Sequence, residues 1–100
     1  MILRLYGHAK AIHQKDSEWQ ALYSLFPEKT GARQIFKMSI EMVQTSCGMS
    51  VPFFDYVSER EQLDDWADKK GKDGIKDYWQ LKNQVSLDDI ATHIMDKNIE

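Results

Sequence analysis

The 100-residue chain predicts an α+β fold, and three observations carry that reading. Two segments, from Ile2 to about His13 and from about Gln34 to Ser46, alternate apolar and polar residues with the period of two that marks a strand. Between them Trp19, Leu22, Tyr23, Leu25 and Phe26 recur at helical spacing, a stripe suited to covering a sheet. From Ser58 onward apolar residues return at helical spacing among many charges, which predicts two to three C-terminal helices. The length suffices for one domain over residues 1–100, burying roughly two thirds of its unfolded surface.

In the first strand Leu3, Leu5, Ala9 and Ala11 share one face, and Ile2, Tyr6 and Ile12 contribute to the other. Two partly apolar faces predict cover on both sides. Gly7 in its middle predicts a bend, a bulge or a close backbone approach. Asp16 or Ser17 is suited to cap the following helix, and Pro27 stops it. Glu28 to Ala32, with Thr30-Gly31, reads as a loop. In the second strand Phe36, Met38, Ile40 and Met42 alternate with Lys37, Ser39 and Glu41. The connection is long enough for either a parallel crossover or an antiparallel return.

The alternation stops at Gln44-Thr45-Ser46-Cys47-Gly48. These residues are small or polar, and the glycine lets the backbone approach a flat or charged group, so this strand end is a candidate ligand rim. Phe53, Phe54, Tyr56 and Val57 form an aromatic segment expected to pack down. Ser58 with Glu61 matches a capping box, starting a helix through Leu63, Trp66 and Ala67 that Gly71 ends. Asp73 is suited to cap another helix, with Ile75, Tyr78 and Trp79 inward. A last helix is expected from Ser86 or Leu87, with Ile90, Ile94 and Met95 as its apolar face and a frayed final turn up to Glu100.

Composition narrows the function classes. The net charge is −3, and the densest basic cluster, Lys69-Lys70 with Lys72, sits among Asp64, Asp65, Asp68 and Asp73, which argues against nucleic-acid binding. A single cysteine cannot form an internal disulfide, which points to a reducing compartment, the cytoplasm by default. Met1 to Tyr6 is too short an apolar run for a secretory signal, and no run approaches a membrane span.

Chemistry-bearing residues are few. Cys47 has no basic neighbour in sequence to activate it, so it reads as a packed turn cysteine rather than a catalytic thiol. His8, His13 and His93 lack metal-ligand spacing. Arg4, Tyr6 and His8 share a strand face, which suits either a pocket lining or an ordinary half-exposed surface. Trp19, Trp66 and Trp79 fall at core-compatible helical positions. Asp64, Asp65 and Asp68 do not converge on one point and serve solubility. Two strands with open, apolar edges attract other strands, so a homodimer formed through strand edges is expected.

Four stretches carry a resemblance to a known family. They are Leu3-Arg4-Leu5-Tyr6-Gly7-His8-Ala9, Gln44-Thr45-Ser46-Cys47-Gly48, Val51-Pro52 and Tyr56-Val57-Ser58-Glu59-Arg60, the last leading into charged helices. In order and spacing the chain resembles the pyridoxamine 5′-phosphate oxidase-related family of flavin mononucleotide (FMN)-binding split-barrel proteins, from about Ile2 to about Leu87. Members are usually nearly twice as long, so the chain looks like the C-terminal half. The resemblance implies a partial split-barrel sheet completed by dimerisation, with FMN held between subunits. It places Gln44, Thr45, Ser46, Cys47 and Gly48 near the flavin with Tyr6 and His8 close by; Arg4 and Arg33 are the cations near strands best placed to meet an anion such as its phosphate, whereas the family's main phosphate contacts lie largely on strands before those matched here. The reading favoured for Gln44, Thr45 and Ser46 themselves is that they satisfy neighbouring backbone groups at the end of the sheet. Two functions follow: a dimeric small-ligand or protein binding module without catalysis, or an FMN-dependent oxidoreductase whose bound flavin does the chemistry.

Overall fold

The computed structural model describes residues 1–99. Glu100, in the turn expected to fray, lies outside them. The fold is α+β, with one two-stranded antiparallel sheet and three helices among the described residues. Two compact units are present: Met1–Ala11 with Phe36–Glu59, and Ile12–Ile35 with the chain from Arg60 onward.

The sheet pairs β1 (Ile2–His13) with β2 (Gln34–Ser46), at the limits read from the alternation. The sequence left their relative direction open. Tyr6 meets Gln44 while His8 meets Glu41, so the strands run antiparallel. Gly7 marks a close backbone approach. A Cβ there would overlap the Ser39 carbonyl and stand 3.1 Å from the Ile40 Cα. This juxtaposition sets Leu5 and Ala9 beside Met38 and Ile40 on one face, with Tyr6, His8, Ser39 and Glu41 on the other.

Neither face of this ribbon is covered within one chain. Every residue from Ile2 to Ala11 is exposed, and Phe36, Met38, Ile40 and Met42 remain 68%, 44%, 54% and 52% exposed. The expectation of a first strand buried on both sides is therefore not met by a single copy. Nor is the covering helix found: α1 (Trp19–Tyr23) is a five-residue turn with no buried residue. Asp16 does not cap it. Its Oδ2 accepts the His13 N–H at 2.7 Å, and Glu18 occupies the cap position without a side-chain bond. The stripe beyond Tyr23 tightens instead: Leu25 and Phe26 donate their N–H groups to Leu22 and Tyr23, three residues back, before Pro27.

After β2 the segment from Cys47 to Glu59 has no helix or strand. Phe53, Phe54, Tyr56 and Val57 are exposed along their whole length, contrary to the expectation that they pack down. Their own unit holds no buried hydrophobic residue against which they could pack. The Tyr56 hydroxyl donates to Glu59 Oε1 at 2.9 Å, a bond that favours the neutral phenol and raises its pKa above the ordinary 10.0.

The helical unit has the core. Its long helix, α2 (Gln62–Lys82), is interrupted at Gly71, whose φ of 71° and ψ of 173° only glycine adopts readily, so the sequence reading of two helices meeting at Gly71 holds. The expected Ser58–Glu61 capping box is absent. Glu61 is itself the cap residue and makes no side-chain bond, while Asp64 and Asp65 complement the helix dipole in the first turn. Ala67, Ile75 and Trp79 are buried against Ile94 of α3 (Ile94–Asn98), with Met95 and Ile99 packed on them.

The last helix starts later than expected from Ser86. Ser86 Oγ accepts the Ile90 N–H at 3.1 Å and Val85 bridges Ala91, so these residues close a loop that leaves Ile90 exposed. Asn98 is buried but satisfied: its Nδ2 donates to the Ile94 carbonyl and its Oδ1 accepts the Gln14 N–H, both at 3.0 Å. Among the described residues no helix is long and apolar enough to cross a membrane.

Candidate functional site at the strand end

Except for Arg33, which lies in the helical unit, the candidate site residues fall in the ribbon unit, where the fold divides them into three small groups. The first is Tyr6 with Gln44. The two are paired across the ribbon, the Tyr6 hydroxyl donating to Gln44 Oε1 at 3.3 Å. Antiparallel pairing thus joins residues far apart in sequence. It also occupies the amide oxygen that was to meet a ligand. The second group centres on His8. Its Nδ1 lies 2.7 Å from Glu41 Oε1, so the histidine faces a carboxylate that sequence reading had assigned only to the polar side of the strand. Arg4 and Thr45 are exposed on their strands.

The third group is the turn itself. Gly48 takes a left-handed conformation, φ 61°, and a Cβ there would stand 3.3 Å from Ile2 Cγ1, so conformation and space both favour glycine. Its carbonyl accepts the Val51 N–H at 3.0 Å, closing the turn. Beside it lies an open groove of about 340 Å³ lined by Ile2, Cys47, Gly48, Val51, Pro52 and Phe53, with Met1 and Met49. Cys47 is exposed with a free thiol. Ser46 Oγ is buried and has no hydrogen-bond partner among the described residues.

Of the predicted rim, then, only Cys47 and Gly48 line the groove, and Gln44 and Thr45 do not. The lining carries no titratable side chain except the thiol. It offers apolar contact, backbone groups and the Cys47 thiol. No group of three His, Cys, Asp or Glu side chains able to hold a metal ion occurs among the described residues.

Sequence reading missed a second, larger feature in the helical unit. Trp66 and Tyr78, assigned to core stripes, are 39% and 37% exposed and stand edge to face with ring centroids 5.1 Å apart. The Lys70 ammonium lies 5.1 Å from the Trp66 ring and 5.7 Å from that of Tyr78. The i, i+4 spacing of Trp66 and Lys70 was a legible signal for part of this cluster. Tyr78 was not, because it lies beyond the break at Gly71. Both rings line an open cavity of about 920 Å³.

A scan against protein-family models and searches of curated proteins and of solved structures find no match to this chain.

Proposed function

We propose that the chain is a self-associating, non-catalytic binding module, built on the plan of the C-terminal half of a pyridoxamine 5′-phosphate oxidase-like split-barrel protein and working in the cytoplasm. The observation that carries this reading is the bare ribbon. Phe36, Met38, Ile40 and Met42 each keep about half or more of their surface in water, together with Leu3 and Leu5. A contiguous exposed apolar face of this kind marks an interaction surface, and a two-stranded ribbon is marginal without further strands or packing. A second copy supplies the same face and the same open edges, so a two-fold homodimer satisfies both at once. The occupant of this module is a small ligand or a protein strand added to the edge.

Sedimentation velocity at micromolar concentration tests the assembly: a homodimer is expected, and a stable monomer contradicts it.

The alternative is an FMN-dependent oxidoreductase with the flavin at the subunit interface. It draws support from the Cys47–Gly48 turn, where a left-handed glycine beside a groove brings backbone close to any flat group lodged there. In that case the flavin supplies the redox chemistry, and Tyr6, His8, Arg4 and residues 44–48 position it. Absorbance in the flavin bands of purified protein, or quenching of added FMN fluorescence, supports this reading. Colourless protein that leaves FMN fluorescence unchanged removes it and leaves the homodimer test untouched.

A further inference from the structure

The cavity in the helical unit combines size, aromatic walls and an anchored cation. Its volume, about 920 Å³, falls within the range of small-molecule sites, roughly 300–1,000 Å³. Its walls join the rings of Trp66, Tyr78 and Trp79 to the aliphatic side chains of Leu63, Ala67 and Ile75. Of these, Trp79 is buried in the core, while Trp66 and Tyr78 are held edge to face with Lys70 over both rings. Large rings fixed in place before a ligand arrives lose little entropy on binding.

The charges are unequal. Lys29 and Asp64 both line the cavity and neutralise each other in a direct ion pair. Arg33 also lines it and has no carboxylate partner among the described residues. Its guanidinium is nevertheless held, because Nη1 donates to Asn83 Oδ1 at 3.1 Å. Asn83 is anchored in turn: its N–H donates to the Trp79 carbonyl at 2.9 Å, and its own carbonyl accepts the Thr92 hydroxyl. One fixed nitrogen leaves the other guanidinium donors for a planar two-oxygen acceptor.

We propose that this cavity binds a small planar aromatic carboxylate, its ring against Trp66 and Tyr78 and its carboxylate on Arg33. Arg33 is the lining cation that no carboxylate neutralises among the described residues, and its planar fork matches a carboxylate. This site belongs wholly to the helical unit, goes beyond the binding module proposed above, and does not depend on self-association of the ribbon.

The test uses the three tryptophan indole N–H signals of the intact chain in nitrogen-15 correlation spectra, with 2-naphthoate as probe and uncharged 2-naphthamide as control. Saturable shifts of the Trp66 and Trp79 signals by 2-naphthoate are expected, with binding about ten-fold tighter than that of 2-naphthamide, the worth of one charge-assisted contact. Arg33→Gln should remove that advantage, bringing 2-naphthoate down to the 2-naphthamide level, while Trp66→Leu should weaken both probes. An unshifted Trp79 signal in the ligand-free variants verifies that the core is intact. Three results would overturn the proposal: no saturable Trp66 shift up to about 1 mM, equal binding of the two probes by the parent chain, or unchanged 2-naphthoate affinity in a folded Arg33→Gln protein.

Discussion

Replacing Met38 and Ile40 together by lysine separates what the ribbon does for a single copy from what it does between copies. In one chain the two side chains are 44% and 54% exposed. Fully burying a methionine or isoleucine is worth about 1.5–3 kcal/mol, so the exposed half of each represents about 1 kcal/mol not yet gained. A two-fold interface counts each residue twice, which puts about 4 kcal/mol at stake, or about a thousand-fold in Kd. Buried lysine charge would add to that loss. Within the isolated chain, lysine at two exposed strand positions should change stability by no more than about 1 kcal/mol in total. The assay is sedimentation velocity from low to high micromolar concentration, with circular dichroism to verify the fold. The parent chain should sediment as a dimer and the double variant as a monomer with unchanged secondary structure. A parent chain that remains an 11.7 kDa monomer, or a variant with the parental Kd, would refute the argument that the bare face is an interface.

Three further outcomes follow from individual contacts. Trp79→Ala removes the largest ring of the helical core, which is only 5% exposed, and should cost about 3–5 kcal/mol in chemical denaturation; a loss below about 1 kcal/mol would show that the core is wrongly placed. Gly7→Ala drives a methyl into the Ser39 carbonyl and should cost about 1–3 kcal/mol, read as faster amide exchange in β1 and β2; parental exchange rates would mean that the strands do not approach there. Asp64, by its hydrogen bond to Lys29 and then by its charge, raises the Lys29 pKa above 10.5. The stability this pair contributes is therefore fully present below about pH 10.5 and lost as pH rises through the folded-state value. Asp64→Asn should bring the Lys29 titration, followed by NMR, back down, and an ordinary value in the parent would exclude the pair.

The parts of the fold legible in sequence were those fixed by local chemistry. Period-two alternation set both strand limits, and Gly71 marked the break in α2, because a positive φ is a property of the residue itself. What failed depended on a surface to pack against. The Trp19–Phe26 stripe has the spacing of a covering helix, yet only Trp19–Tyr23 is helical, since Asp16 bonds to the turn at His13 and the later residues tighten ahead of Pro27. Phe53, Phe54, Tyr56 and Val57 are apolar enough to pack down but have no buried partner in their unit. At the candidate site, Gly48 and Cys47 could be read from residue type. The Tyr6–Gln44 and His8–Glu41 pairings could not, because they require the strand direction that the sequence left open.

The contrast between the two units bears on which ligand site is complete. The helical unit buries Ala67, Ile75, Trp79 and Ile94 by itself, and its aromatic cavity is walled by residues anchored to that core. The strand-end groove is framed by Ile2, Val51 and Phe53, all exposed, on a ribbon with no core of its own. In the proposed homodimer a second copy covers this groove and gives it walls, and the low-dielectric surroundings that strengthen polar contacts to a ligand arrive with the same step. Any ligand held at the strand end should therefore bind more tightly as protein concentration rises through the dimer Kd, by mass-action linkage between binding and assembly. Affinity at the aromatic cavity should not change over that range. FMN titrated by fluorescence quenching and 2-naphthoate titrated by NMR, each at protein concentrations below and above the dimer Kd, read the two dependences separately. FMN binding that is independent of protein concentration would show the groove to be sufficient in one copy, and a concentration-dependent 2-naphthoate affinity would show that the helical unit also needs its neighbour.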